Sequence, residues 1–172
     1  MERLYSPWRS KYIESFKIHG GKPMHSECIF CAALTDTNDE ERLLLYRGKL
    51  AFVMMNLYPY NSGHMMVVPN RHTSAFNSLT GEENAECSFL LQTAQKALEE
   101  LSRPHGYNIG MNLGKAGGAG IDDHLHWHIV PRWNGDTNFM PIIADVKMVS
   151  EDMKRQWEKL HEYFKRNLGS KE

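Results

Sequence analysis

The sequence predicts an α+β fold with a mainly antiparallel sheet of about five strands, a long helix after the third strand and a helix at the C-terminal end. Two observations carry this. Several apolar extended runs are joined by connections too short for the helical crossovers that parallel strands require. Two stretches then repeat apolar residues at helical spacing, Cys87, Leu90, Leu91, Ala94, Leu98 and Leu101 in one, Met153, Trp157, Leu160, Phe164 and Leu168 in the other.

In chain order, residues 1–35 form an N-terminal arm rich in aromatics (Tyr5, Trp8, Tyr12, Phe16), with a Gly20-Gly21 turn and a Cys28-Ile29-Phe30-Cys31 knuckle. Residues 35–42 (TDTNDEER) read as a solvated connector. Leu43 to Tyr46 and Ala51 to Met55 are the first two strands, turned by Arg47-Gly48-Lys49. Asn56 to Gly63 is a loop by its Pro, Asn and Gly content, and His64 to Val68 is a third strand stopped by Pro69. Thr80 and Glu83 have capping-box spacing, so the long helix starts there, and Pro104 cannot continue it. Tyr107 to Met111 is a short strand, 112–123 (NLGKAGGAGIDD) a Gly-rich loop, and His124 to Pro131 the last strand. The C-terminal helix follows Ser150 and spans 150–169, with Glu151 and Asp152 at its positive end and Gly169 as its cap. All 172 residues are expected in one domain whose catalytic core is 43–133.

Composition is that of an ordinary globular chain, 41% hydrophobic and 24% charged. A net charge of −1 gives no basic excess for nucleic acid. No signal-peptide pattern or membrane-length apolar run is read, and three cysteines make no disulfide framework, so a reducing cytoplasm is the expected compartment.

The segment His124-Leu125-His126-Trp127-His128-Ile129-Val130-Pro131 carries the most chemistry. In a strand, side chains two apart share a face, which puts the three imidazoles on one side, roughly 6–7 Å between neighbours. Leu125, Trp127 and Ile129 then face the core. Histidine titrates near neutrality, so one ring can attack an electrophile while another donates a proton to the leaving group. His-x-His on a strand is also a metal chelate, and a metal hydrolase or oxygenase is the competing reading. Gly114, Gly117, Gly118 and Gly120 in the preceding loop allow close backbone approach, and successive N–H groups there can form an anion nest.

The run HLHWHIV fits the His-φ-His-φ-His-φ-φ signature (φ apolar), and the order AFVMMN, GHMMVVP, helix, NLGKAGGAG and triad resembles the histidine-triad (HIT) family of nucleotide hydrolases and transferases over Leu43 to Trp133. The Pro7-Trp8-Arg9 arm and the Pro131 to Phe139 tail resemble the bacterial diadenosine-tetraphosphate phosphorylase branch. The resemblance implies a HIT-like sheet, usually a homodimer. It implies His126 as nucleophile, His128 at the α-phosphate and bridging oxygen, and His64 as a supporting histidine. Asn56 corresponds to the ribose-binding position and Asn112 to an amide near the transferred phosphate. Gly118 and Gly120 would line the phosphate; just before the triad, where many members carry Ser, Gln or Thr, this chain reads Ala119-Gly120-Ile121-Asp122-Asp123, and backbone N–H groups would substitute.

Cys28-x-x-Cys31 has the spacing of two ligands of a tetrahedral zinc. The resemblance supplies two more, His72 of Pro69-Asn70-Arg71-His72 and His124. Four protein ligands make such a zinc structural and leave the chemistry to the histidines. Cys87 belongs to the apolar stripe. The expected function is nucleotidyl transfer from a dinucleoside polyphosphate or other adenosine 5′-phosphoryl compound through a nucleotidyl-histidine, leaning to phosphorolysis. Hydrolysis of phosphoramidates or dinucleoside polyphosphates, and a non-catalytic nucleotide sensor, are the alternatives.

Overall fold

A computed structural model describes residues 28–136 and 152–169. The expectations for the Pro7-Trp8-Arg9 arm, the Gly20-Gly21 turn, Phe139 and Ser150-Glu151 lie outside the described residues. The elements are α1 (Ile29–Thr35), β1 (Leu44–Arg47), β2 (Ala51–Met55), β3 (Met65–Pro69), α2 (Gly81–Ser102), β4 (Gly106–Met111), β5 (Trp127–Arg132) and α3 (Met153–Leu168), with single 3-10 turns at Phe76–Ser78 and Lys115–Gly117. The five strands form one sheet in the order β1-β2-β3-β5-β4, antiparallel at every pairing. The α+β expectation holds.

Both faces of the sheet are covered, which is why β2 and β3 are apolar throughout rather than alternating. On one face α2 and α3 pack on Ala51, Val53, Met55, Met65, Val67 and Ile129. On the other, Phe30 and Ala33 of α1 pack on Leu44, Phe52, Met54, Met66 and Val68. His128 sits opposite Met66 in the β3–β5 ladder, and this second face carries the catalytic candidates.

Several boundaries shift for physical reasons. Leu43 has φ of 56°, outside the extended region, so β1 begins one residue later. His64 closes the 56–64 loop, its N–H on Asn61 and its carbonyl taking Asn56 N–H, so β3 begins at Met65. The last strand starts at Trp127, not His124. Continuing the register would place Leu125 against Pro69, which has no N–H to offer. Leu125 N–H instead donates to Thr73 at 2.8 Å.

The capping box at Thr80 and Glu83 is present in both directions. Leu101, expected on the buried stripe, is exposed and Leu91 is half-buried, while Thr93 and Ala97 are buried with Cys87, Leu90, Ala94 and Leu98. The C-terminal helix begins at Met153 with Asp152 as N-cap, its carboxylate accepting from Arg155 N–H. Trp157, Leu160 and Phe164 are buried as expected, joined by Tyr163. The Cys-x-x-Cys segment is no knuckle in an arm: Cys28 begins a helix packed on the sheet. Nor is 35–42 merely solvated. Arg47, expected in a turn, lies in β1 and donates to the carbonyls of Ala33, Leu34 and Asp36 and to the Asp39 carboxylate.

Candidate active site

His126 is buried, and its Nδ1 lies 2.8 Å from the carbonyl of His124. A carbonyl only accepts, so Nδ1 carries the proton and Nε2 keeps its lone pair. Burial pushes the ring below its ordinary value, with the bond to His124 opposing, and so favours the neutral form a nucleophile needs. Phe30 packs against the ring at 4.9 Å between centroids, and His128 stands edge-on at the same separation.

His128 is held by a second histidine. The Nε2 of buried His64 lies 2.9 Å from His128 Nδ1. Tyr60 N–H donates to His64 Nδ1 at 3.0 Å, and the Asn56 amide nitrogen approaches the same atom at 3.4 Å. Asn56 Oδ1 accepts from Tyr58 N–H, which fixes the amide's orientation. The Tyr60 ring stacks on His64 at 4.9 Å. The loop is set by α3, where Gln156 accepts from Gly63 N–H and donates to Ser62 Oγ.

Asn112 follows β4. With Met111 opposite Trp127, the register brings Asn112 level with His126. The Gly-rich loop departs from the expected nest. Its N–H groups at Gly117, Gly118 and Ala119 turn back onto the carbonyls of Gly114 and Lys115, closing a 3-10 turn. Gly118 takes the left-handed conformation that ends this turn, and Gly120 is exposed.

Cys28, Cys31, His72 and His124 come together with all four ligand atoms within 4.8 Å of one another. Cys28 Sγ and His124 Nδ1 are 3.2 Å apart, Cys31 Sγ and His72 Nδ1 3.4 Å, and Cys31 Sγ and His124 Nδ1 3.7 Å. Ligand bonds of about 2.0–2.3 Å at tetrahedral angles put neighbouring ligand atoms roughly 3.3–3.8 Å apart, so the set fits zinc. His124 Nε2 meets the Pro69 carbonyl at 2.9 Å, which leaves the lone pair on Nδ1, the atom facing the sulfurs. Thus His124 belongs to the cysteine cluster, while the rings of His126 and His128 stand together beside it.

Phe30, Tyr60 and the Tyr60 backbone N–H escaped the sequence reading. Phe30's place between the two cysteines was the available signal; nothing in the residue types marks a backbone donor.

The sheet has three alternate histidines at the entrance of an interior strand, the middle one oriented by the carbonyl of the first, in keeping with the histidine-triad resemblance of the sequence. The HIT domain profile matches residues 37–135, and the chain belongs to this family. It is 40% identical over 154 residues to an AP-4-A phosphorylase of Mycobacterium tuberculosis, covering 88% of this chain and 78% of that one. An adenosine 5′-monophosphoramidase of Schizosaccharomyces pombe is 29% identical over 107 residues, 62% of this chain and 75% of its own. A Zn-bound histidine triad family protein of Mycobacterium smegmatis shares the fold with a TM-score of 0.62 at 24% identity, covering 81% of this chain and 94% of that one.

Proposed function

We propose that this chain cleaves a dinucleoside polyphosphate such as diadenosine tetraphosphate at the α-phosphate through a nucleotidyl-His126 intermediate, with phosphate as the acceptor. It is an enzyme of the nucleotide phosphorylase and hydrolase class, and dinucleoside polyphosphate processing follows from its relatives. The observation that carries the mechanism is the bond from His126 Nδ1 to the His124 carbonyl, which leaves Nε2 as the attacking atom.

His126 Nε2 attacks the α-phosphorus. The bond to the bridging oxygen breaks and its electron pair leaves with ATP. Phosphate then attacks the nucleotidyl-histidine, releases ADP and returns the ring to its starting state. His128 and Asn112 face the phosphoryl oxygens, the ribose sits toward Asn56, and Gly118 and Gly120 give the phosphates room. The lean to phosphate over water rests on likeness to the M. tuberculosis phosphorylase.

The cysteine cluster holds a structural zinc in this reading. When bound, the metal fixes the ends of α1 and of the segment leading into β5 and supplies no chemistry, because its four ligands come from the protein. A second copy pairs along β4, the sheet edge where Ile109 is exposed.

Incubation with diadenosine tetraphosphate labelled at the α-phosphate tests the proposal. The label should remain on the protein without phosphate and leave as ADP when phosphate is added. Label appearing as AMP at the same rate with and without phosphate would assign water as the acceptor. Turnover with no adduct on His126 under rapid quench would refute the covalent step.

A further inference from the structure

Resting on that reading, we infer that the Asn56–Tyr60–His64 loop wires His128 as a fixed hydrogen-bond donor that cannot deliver a proton, and so restricts the enzyme to leaving groups stable without one: phosphate-chain oxygens, not amines.

Tyr60 N–H is a backbone donor with no accepting capacity, and it points at His64 Nδ1 from 3.0 Å. The Asn56 amide nitrogen approaches the same atom, its orientation set by the bond from Tyr58 N–H to Asn56 Oδ1. Two donors meeting one ring nitrogen leave it unprotonated, so the proton of His64 is on Nε2. That nitrogen faces His128 Nδ1 at 2.9 Å, which must therefore accept, and the proton of His128 is on Nε2.

The two reactive rings are thus set oppositely by backbone groups. The His124 carbonyl leaves His126 Nε2 bare, and the Tyr60 N–H, acting through His64, leaves His128 Nε2 protonated. A second proton on His64 would have to enter at Nδ1, against the Tyr60 N–H. His64 is 1% exposed and capped by the Tyr60 ring, so no rearrangement toward water relieves that clash. A neutral His128 that gave up its one proton would become an imidazolate. It therefore stabilises charge on a departing oxygen by hydrogen bonding. ATP departs as a stable anion and needs no more. An amine must be protonated as the P–N bond breaks, and this pair holds no proton to spare. Asn56 and His64 act here as positioning residues that set substrate class.

Histidine side-chain 15N NMR of the full-length protein at pH 7 reads the wiring directly, with assignments from the signals lost in His64→Gln and His128→Gln. Both rings should be neutral with the proton on Nε2. An imidazolium at either position, or an Nδ1 proton on His128, would overturn the inference. In kinetics, an adenosine 5′-phosphoramidate of an alkyl amine should be cleaved about 10²–10⁴-fold more slowly than diadenosine tetraphosphate, the range a missing general acid gives. Asn56→Asp replaces one of the two donors at His64 Nδ1 with a negatively charged acceptor, which favours a second proton on His64, a third for the pair, even beside the Tyr60 N–H. The amine-to-phosphate ratio of kcat/KM should then rise at least about tenfold, and any change in ribose binding cancels in the ratio. Equal rates in the wild type, or a ratio unmoved by Asn56→Asp, would sink the idea. If neither substrate turns over, the nucleotidyl-transfer reading fails while the spectrum still decides the wiring; it also decides if Asn56→Asp does not fold.

Discussion

Glu83→Gln tests how the start of α2 is held. The carboxylate takes Arg71 Nε at 2.8 Å and Nη2 at 2.9 Å, and Thr80 N–H at 2.8 Å. The amide keeps the shape, loses the charge and turns one acceptor into a donor facing groups that also donate. Losing a charge-assisted bond costs about 1.5–3 kcal/mol. Arg71 is 45% exposed, so water takes over part of its bonding and the expected loss is about 1–2 kcal/mol. The Arg71 fork first, then the Thr80 N–H, hold the Glu83 carboxyl down at about 2, against about 4.3 in an unfolded chain. A folded value below the unfolded one means the folded state binds fewer protons. The contribution is therefore complete above about pH 4.3 and is lost as the pH falls toward 2. Urea unfolding of both proteins at pH 7, 4 and 3 measures it. The difference between them should be full at pH 7 and shrink at each acid step. A difference below about 0.5 kcal/mol at pH 7, or one that does not change down to pH 3, would refute the reasoning.

His126→Asn should lower turnover by about 10⁴-fold or more while nucleotide still binds, read by kcat beside an equilibrium titration; loss of binding alone would reassign the residue. The purified protein should contain about one zinc per chain, and Cys31→Ser should lower both the metal content and Tm; full metal in that variant would remove Cys31 from the ligand set. Gly63→Ala should cost about 1–3 kcal/mol, because φ is 81° and the added Cβ would lie 2.8 Å from Leu98 Cδ2. It should also lower kcat by displacing His64, and a variant as stable as the wild type would contradict the geometry.

Much of the sheet could be read because its apolar runs are short, dense and separated by polar turns, and α2 because a stripe and a capping box agree. The alternation around the triad also read correctly: Leu125 and Ile129 are buried, and Trp127 packs against the helical face. The seven-residue α1 could not be read, because it is too short to show a period and the cysteines at its N-cap and in its first turn suggested a knuckle. The start of β5 depended on which carbonyl Leu125 would find, a contact with Thr73 far back in the chain. Cys28 and Cys31 were read from their spacing, His72 and His124 through family likeness, and the four do converge. The orientation of His128 was hidden, since it is decided by a main-chain N–H that no residue type announces.

Arg47 gives α1 a mechanical part to play. Its guanidinium, projecting from the outermost strand, grips the carbonyls at the end of the helix, while Phe30 near the helix's start touches the rings of His124 and His126 beside β5. In the strand order β1-β2-β3-β5 these two anchor points are separated by two intervening strands. The helix is a crossbar tying the rim of the sheet to its middle. Sliding of these strands past one another would have to stretch that bar. The entrance to β5 is thus located by a brace running over the sheet as well as by its own ladders, and fraying at the β1 rim is resisted by the same part that touches the His126 ring.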